Sequence, residues 1–395
     1  MPRFEAFRAL RYAPFLHLND VTAPPYDVIS ESERVALFAR HPNNISHLDM
    51  PTGVDAYRVA GNTLRQWIRE SVLIQDDVPS LTLYRMSFID SFRTQRSTVG
   101  VLGALEVLDE GAGGVLPHER TTPKAKTDRL ELTRATDSNL SPIWGLSLAA
   151  GLSDKLAAPG EPRGALTDPD GVVHSVERIS DPARIADISE LVSAHPVVIA
   201  DGHHRYAVSR TFRDEVRQRT HRSDSAAELT LAYVGELADD QLSVAAIHRL
   251  YREISIGDVR TALALSFEIE NAGLLNETTL QQMSDLGVLC LLLADRSIAW
   301  LKPRPESFVG VRQLDSALLE HALVATPHSV VYQHDIDELC RQLSDHEATA
   351  AILIRPVTVA EIMRTATEGL LMPPKSTFFT PKLRTGLVLR PLNTG

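Results

Sequence analysis

The sequence predicts a mixed α/β or α+β fold. Apolar runs of strand length alternate with helical segments along the chain, turn-forming residues separate them, and no internal repeat or low-complexity tract is present. At 395 residues the chain is long for one domain. We therefore expect an N-terminal region over 1–260 and a C-terminal region over 261–395. The last segment, 371–395, is expected to return to the functional site.

The first third of the chain carries clear helix and strand signals. Ser30 and Glu33 have capping-box spacing, which predicts a helix after the proline-stiffened segment APPYDV. Residues 55–73 predict a second helix. Its apolar residues available for one buried face are Val59, Leu64, Trp67 and Ile68. Residues 81–89 and 97–108 predict two adjacent antiparallel strands.

The middle of the chain is less regular. Residues 109–139 are polar, which indicates a loop with a solvated helix, or a functional lid. Residues 151–182 are rich in Pro, Gly and Asp and predict a loop with a short hairpin. A buried strand, 196–200, then leads into a helix over 205–219, and the C-terminal third alternates helix and strand.

Composition limits the classes of function. A formal charge of −11 does not support general binding to nucleic acid or to an anionic membrane. The two cysteines form no CxxC motif, which favours a reducing compartment. The N-terminus lacks signal-peptide features, and the apolar runs are shorter than the ~20 residues that span a bilayer. We expect a soluble cytoplasmic protein; its oligomeric state stays open.

The motif DGHHR stands where the strand turns into the helix. Backbone N–H groups and the helix dipole meet there, and Gly202 allows a tight turn or the close approach of a ligand. Arg205 can hold an anion bidentately, and Asp201 can cap the helix or hold a divalent metal. With His203 and His204, these residues predict a phosphate cradle. A plain N-cap with half-exposed histidines is the structural alternative, and neither GxGxxG nor GxxxxGK[ST] is present.

A second polar cluster, LPHERTTPKAKTDR, supplies the groups that phosphoryl transfer needs. Glu119 is the candidate base, and Lys126 or Arg129 a candidate phosphate clamp. The alternative is a solvated loop with helical ion pairs. HER is not followed by a histidine at zincin spacing.

A third cluster, MPPKSTFF, presents Lys375 and Ser376 on a loop stiffened by paired prolines, which suits an anion or a simple tight turn. In APPYDV, Tyr26 can stack on a ligand and Asp27 can act in polar recognition, or both belong to a rigid turn. Isolated polar residues are more often structural than ligand-binding. The weaker candidates of this kind are His41, His47, Asp49, His248 and Arg249.

Two resemblances follow from these motifs. DGHHRYAVS resembles the signature of the ParB/sulfiredoxin superfamily, in which a Gly-x-x-Arg segment at a helix start binds nucleotide phosphates. Several stretches, in order over almost the whole chain, resemble the domain of unknown function 1015 family, often labelled SerK-like. These stretches are APPYDV, HPNNISHLDMP, LPHERT, KTDRLELTRATDSNLSPIW, IADGHHRYA and MPPKSTFFTPKLRTGLV. The label derives from archaeal serine kinases, which phosphorylate free serine.

Two departures narrow what the resemblance implies. Sulfiredoxins carry a cysteine where this chain has His203, so sulfinic-acid reduction by that mechanism is disfavoured. The acidic chain also lacks an evident DNA-binding module, which disfavours a role in chromosome partitioning.

The sequence hypothesis is a kinase that uses ATP or ADP with magnesium to phosphorylate a small hydroxyl-bearing metabolite, with free serine implied by the resemblance. Magnesium, bound mostly by oxygens, suits the nucleotide phosphates. One alternative is a regulatory protein that binds ATP or CTP without turnover. Another is a pocket for a phosphorylated or carboxylated metabolite without a nucleotide.

Overall fold

The computed structural model describes residues 1–90, 93–117, 126–373 and 375–393, with the backbone alone for residues 126 and 127. The chain divides into two compact units. The first comprises Met1–Ser243, Met363–Leu370 and Pro381–Gly395, and the second comprises Val244–Ile362 and Leu371–Thr380. The predicted mixed α/β class is confirmed. The expected regional boundary after residue 260 stays a prediction.

The elements follow the alternation that the sequence predicts. The strands are β1 (Phe4–Glu5), β2 (Leu10–Tyr12), β3 (Leu73–Gln75), β4 (Leu81–Ile89), β5 (Gln95–Glu106), β6 (Val115–Pro117), β7 (Ser138–Asn139), β8 (Ile143–Ser147), β9 (Glu161–Thr167), β10 (Val173–Ile179), β11 (Val197–Asp201), β12 (Leu229–Glu236), β13 (Ser243–Ala245), β14 (His248–Arg252), β15 (Phe267–Leu274), β16 (Leu289–Leu292), β17 (Ser297–Pro303), β18 (Ser329–Gln333), β19 (Ala350–Leu353), β20 (Phe378–Thr380) and β21 (Arg390–Pro391). The helices are α1 (Leu18–Val21), α2 (Glu31–Arg40), α3 (Ser46–Asp49), α4 (Ala56–Arg69), α5 (Lys126–Thr136), α6 (Leu152–Ala157), α7 (Pro182–Ser193), α8 (His203–Thr220), α9 (Ile256–Ser266), α10 (Thr279–Leu286), α11 (Asp315–Leu323), α12 (Ile336–Ser344) and α13 (Val359–Thr367).

A large mixed sheet organises the first unit. Its strands lie in the order β6-β11-β8-β12-β5-β4-β10-β9, and β1 adds to β5. β11 runs parallel to β6, and β12 runs parallel to β8. β4 and β5 are antiparallel neighbours, as predicted. The core behind this sheet includes Phe4, Leu83, Val101, Ile188 and Val234.

Two local predictions in the first unit differ from the structure. Residues 151–182 form helix α6 before the hairpin of β9 and β10, and each of these strands has seven residues. Leu152 and Leu156, one helical turn apart, are both fully buried and give α6 its apolar anchor. In α4, Leu64 and Trp67 are buried as predicted, whereas Val59 and Ile68 are exposed.

The second unit contains an antiparallel sheet in the order β15-β17-β16-β19-β14-β18. Its central strands β16 and β19 are buried along their whole length. Such continuous apolar runs are typical of strands covered on both faces. Among the described residues of the whole chain, no helix is long and apolar enough to cross a membrane.

Candidate functional site

The DGHHR motif lies at a strand-to-helix junction, as predicted. β11 ends at Asp201, Gly202 is the N-cap of α8, and the helix begins at His203. Gly202 has φ +88°, a left-handed conformation that a side chain rarely adopts. A Cβ atom there would also lie 3.1 Å from the Arg205 guanidinium carbon and 3.2 Å from Ile143 Cα. Glycine is therefore required both by the turn and by the close approach of these two neighbours.

Two cations hold the Asp201 carboxylate. Arg205 Nη2 donates to one carboxylate oxygen at 2.8 Å, and Lys382 Nζ lies 3.5 Å from the other. Arg205 Nη1 also donates to the Pro142 carbonyl. Burial alone would raise the pKa of Asp201, but Lys382 and Arg205 reverse that effect and hold the pKa well below its usual range. The junction thus contains a fixed carboxylate and two cations.

The two histidines of the motif form the first turn of α8. His203 and His204 are both half-buried. The imidazole of His203 contributes to the lowered pKa of Asp201, which places its charge, when protonated, at the same junction. At this end of an 18-residue helix, the first backbone N–H groups have no carbonyl partner within the helix. The junction therefore combines N–H donors with cationic side chains.

A second arginine cluster lies beside the junction. Arg129 Nη1 donates to the carbonyl of Asp49 at 2.7 Å and lies 3.2 Å from its carboxylate. The Arg129 guanidinium also lies over the ring of Tyr26, 4.2 Å from the ring centroid. Burial raises the pKa of Asp49, and the charges of Arg129 and Arg205 oppose that rise. This cluster combines a buried carboxylate, a clamped arginine and an aromatic ring.

A small cavity connects the two clusters. Asp49, Arg129 and Arg205 all line it, and its volume is about 40 Å³. Such a volume holds a water molecule or a single small group rather than a nucleotide. A larger ligand at this site must therefore lie at the open face of the junction.

The structure describes some of the predicted site residues and not others. Glu119 lies outside the described residues, and Lys126 begins α5 with only its backbone described. Lys375 and Ser376 belong to the second unit. There the Ser376 hydroxyl donates to the Pro373 carbonyl at 2.8 Å. The roles predicted for these four residues stay predictions.

The weaker candidates make structural contacts. His41 Nδ1 accepts from the backbone N–H of Asn43, and the ring of His47 packs on Phe38 with centroids 4.4 Å apart. In the second unit, His248 Nδ1 accepts from the N–H of Ile354, and burial lowers the pKa of His248 to about 3. These contacts agree with the structural alternative for the histidines.

Lys382 is the residue of the candidate site that the sequence reasoning missed. It lies in the stretch TPKLRTG, six residues after Ser376, and it contacts Asp201 from the far end of the chain. A cation close to the proline-rich loop could have been included among the candidates, but nothing in the spacing relates it to residue 201. Asp49 was weighed as a weaker candidate, and the structure places it between two arginines.

The described residues do not form a protein cage for magnesium. Within them, no group of three or more His, Cys, Asp or Glu side chains converges as metal ligands. Both oxygens of Asp201 face cations. A magnesium ion at this site would therefore depend on the oxygens of a nucleotide.

Sequence comparison identifies the family to which these motifs belong. The model for the DUF1015 family, described as a protein of unknown function, matches residues 4–317. The chain belongs to the DUF1015 family. This confirms the family resemblance drawn from the sequence motifs. No curated protein matches the sequence.

Several solved structures are distantly similar to this DUF1015 member. A free serine kinase in complex with AMP has 12% identity and a TM-score of 0.37, over 68% of this chain and 84% of that chain. A conserved hypothetical protein from Pyrococcus furiosus has 13% identity and a TM-score of 0.36, over 68% and 87%. SbnI with a C-terminal truncation from Staphylococcus aureus has 13% identity and a TM-score of 0.37, over 74% and 87%. Likeness at this level does not define the ligand of the present chain.

Proposed function

We propose that this DUF1015 protein is a nucleotide-dependent kinase that phosphorylates a small hydroxyl-bearing metabolite, with free serine as the first acceptor to test. The observation that carries the proposal is the junction of β11 and α8. Two cations, Arg205 and Lys382, are held on one carboxylate beside the N-terminus of a long helix. Helix N-termini with cationic side chains are suited to phosphate.

The cations of the junction can hold an anion beside the carboxylates that already engage them. Arg205 and Lys382 contact Asp201, and Asp27 and Asp49 also act electrostatically on Arg205. A phosphate group could accept hydrogen bonds from the first N–H groups of α8 while sharing the two cations with Asp201. Asp201 then acts as the fixed group that orients the cations before the ligand arrives, which reduces the entropy lost on binding.

The neighbouring Arg129 cluster suits the acceptor side of the transfer. In the proposed step, the acceptor hydroxyl oxygen attacks the terminal phosphorus, and the bond from that phosphorus to the leaving nucleotide oxygen breaks. The hydroxyl proton passes to a carboxylate, for which Glu119 stays the proposed base. Arg129 would offset the charge of the transferred group, and the ring of Tyr26, which stacks on the guanidinium, would keep Arg129 in position.

The nucleotide donor is proposed to be ATP or ADP with its magnesium. The product is then ADP or AMP, with the terminal phosphoryl group on the acceptor. Magnesium neutralises phosphate charge when it is bound, and its ligands would be mainly nucleotide oxygens and water. The residues of this chain contribute the N–H groups and the cations described above.

Phosphorus NMR tests the proposal directly. The full chain is incubated with magnesium, ATP or ADP, and L-serine within a pool of hydroxyl metabolites. We expect a new phosphomonoester resonance whose acceptor is identified by omission from the pool. Glu119→Gln is expected to lower turnover about 100-fold, because general bases typically contribute that much or more. Glu131→Gln, which removes an exposed carboxylate paired with Arg134, is the matched control and should keep full turnover.

The same experiment separates the alternatives. If the nucleotide resonances broaden on binding but no new phosphomonoester forms, the result contradicts the kinase and supports a regulatory nucleotide-binding protein. An absence of both binding and turnover would contradict the phosphate cradle as well. Full turnover in folded Glu119→Gln would remove the assignment of that residue alone.

A further inference from the structure

A second polar pocket lies in the first unit, away from the residues assigned to phosphoryl transfer. Its volume is about 320 Å³, within the range of small-molecule sites. It is formed by α1, the end of α2, the turn between β9 and β10, and the C-terminal segment. The polar residues that line it are Asn19, Asp20, Arg40, Thr167, Asp168 and Arg384.

Arg384 is a buried cation without an ion pair. Its exposed fraction is 5%, and no carboxylate of the described residues lies within 4.0 Å of its guanidinium. Nη2 donates to the carbonyl and hydroxyl oxygens of Thr22, at 3.1 and 3.2 Å. Among the described residues, Nε has no hydrogen-bond partner and Nη1 makes no hydrogen bond. Buried charges are normally paired, so this arrangement calls for an explanation.

A comparison with Arg390 shows that burial alone does not explain Arg384. Arg390 is equally buried, at 4% exposed. Its two Nη atoms donate to the carbonyls of Leu229 and Ala226 and to the side chain of Asn139. Among the described residues, Nε has no hydrogen-bond partner in either arginine, but both Nη atoms of Arg390 are bonded to the fold. Arg384 differs because its Nη1 makes no hydrogen bond and the residue lines a cavity.

Two arginines and two carboxylates line the pocket. Arg40, exposed at the end of α2, is the second cation. Burial lowers the pKa of Arg384 and Arg40 adds to this effect, whereas Tyr84, Asp168 and Asp170 act to raise it. Asp168 is engaged elsewhere, because Oδ1 accepts from two backbone N–H groups of the turn and Oδ2 contacts His174 at 3.1 Å. Asp20, the other carboxylate of the lining, is half-buried. An anion bound between the two arginines would relieve their repulsion.

Buried hydrogen bonds fix the position of Arg384. Asp168 contacts His174, whose Nδ1 lies 2.8 Å from the hydroxyl of Tyr84. That hydroxyl accepts from the backbone N–H of Arg384 at 3.1 Å. His174 and Tyr84 are both fully buried. The backbone of Arg384 is therefore anchored, and the two bonds of Nη2 to Thr22 hold the guanidinium before any ligand binds, as preorganised sites require.

We propose that this pocket binds an oxyanion, the carboxylate or phosphate group of a small metabolite, between Arg384 and Arg40. The pocket is separate from the proposed phosphate cradle and does not depend on the proposed kinase activity. The guanidinium of an arginine can bind either a carboxylate or a phosphate through two parallel hydrogen bonds, so the same site can recognise both groups.

Isothermal titration calorimetry with inorganic phosphate and with acetate tests the pocket in the full chain. We expect a binding event, distinct from phosphate binding at the Arg205 cradle, that Arg40→Gln weakens about tenfold, since a charge-assisted hydrogen bond is lost. Arg384→Lys, which keeps the charge but removes the fork, should weaken it at least as much. Arg205→Ala, in the phosphate cradle, should leave this event unchanged.

The matched control is Arg34→Gln, which removes a cation from the same helix, α2, outside the pocket. It should leave the affinity unchanged. Tighter binding of phosphate would indicate a phosphorylated ligand, and tighter binding of acetate a carboxylate; both support the pocket. The proposal is overturned if neither anion binds, or if the only event persists in Arg40→Gln and disappears in Arg205→Ala.

Discussion

Arg205 and Arg384, both in the first unit, are in opposite electrostatic situations. Arg205, at the junction of β11 and α8, is clamped to the carboxylate of Asp201 at 2.8 Å. Arg384, in the second pocket, has only the oxygens of Thr22 for its guanidinium within the described chain. The first arginine is already neutralised, and the second is held in place without a counterion. A cation in this fold is thus positioned either by charge pairing or by neutral hydrogen bonds.

The two situations suit different kinds of ligand binding. At the junction, a ligand must share cations that already serve Asp201, and the site gains its specificity from N–H groups as well. In the second pocket, a ligand would supply the missing counterion itself. Stability and binding should therefore respond differently when each arginine is replaced.

The largest effect is expected from paired substitutions of the two arginines by methionine. Arg205→Met leaves Asp201 with Lys382 alone, and breaking a buried pair in this way should lower the free energy of unfolding by about 3 kcal/mol. Arg384→Met leaves no carboxylate without a partner and loses two hydrogen bonds, so a loss of about 1 kcal/mol is expected. Urea denaturation at pH 7 measures both values. Equal losses would contradict the distinction between the two arginines.

A smaller effect should separate two glycines at helix starts. Gly202 and Gly151 are both N-caps with a positive φ, +88° and +83°. Alanine at either position should cost about 1 kcal/mol for the left-handed backbone. Gly202→Ala should cost about 1–3 kcal/mol more, because its Cβ would crowd Arg205 and Ile143, whereas Gly151 has nothing within 4 Å. Denaturation midpoints compare the variants, and equal costs would show that the close approach of Arg205 and Ile143 does not restrict residue 202.

The smallest effect is expected at Lys382 and depends on pH. The folded-state pKa of Asp201 is lowered, so its ionisation stabilises the fold above the unfolded pKa of about 3.9, and this contribution is lost as pH falls through the folded value. Lys382→Gln should therefore lower stability by about 1 kcal/mol at pH 7, and the gap to wild type should close at acidic pH.

The matched control for Lys382 is Lys155→Gln. Lys155 pairs with Asp187 at 2.6 Å, but both side chains are substantially exposed. Its replacement should change stability by about 0.5 kcal/mol or less. Urea denaturation from pH 7 down to about pH 1 compares the two variants, because the gap closes only where the strongly lowered pKa of Asp201 is reached. A gap for Lys382→Gln that is independent of pH would show that Asp201 is not its partner in solution.

Local features of the fold were predictable from the sequence because they depend on neighbouring residues. The capping box of Ser30 and Glu33 is present, with both reciprocal hydrogen bonds. The junction of β11 and α8 was predicted for the same reason, since an apolar strand, a glycine and an amphipathic helix follow one another. In α4, periodicity identified Leu64 and Trp67 but could not show that Val59 and Ile68 lie at the solvent-facing margins.

Long-range contacts were not predictable. Lys382 and Asp201 are far apart in the sequence, and a single sequence gives no information on their distance in space. The composition of residues 151–182 also concealed α6, because the buried pair Leu152 and Leu156 lies among turn-forming residues. Likewise, Arg384 becomes notable only when its burial and its missing counterion are known together.

The affinity of the full chain for ADP tests most directly whether α8 and Arg205 hold a nucleotide phosphate. Isothermal titration calorimetry compares wild type with Arg205→Ala, Arg205→Lys and Arg210→Ala, and circular dichroism verifies that each is folded. Arg210 lies on the same helix and pairs with Glu110 at the surface. We predict at least a tenfold loss for Arg205→Ala, a smaller loss for Arg205→Lys, and no change for Arg210→Ala. ADP binding that is unchanged in folded Arg205→Ala, or absent from wild type, would contradict the claim.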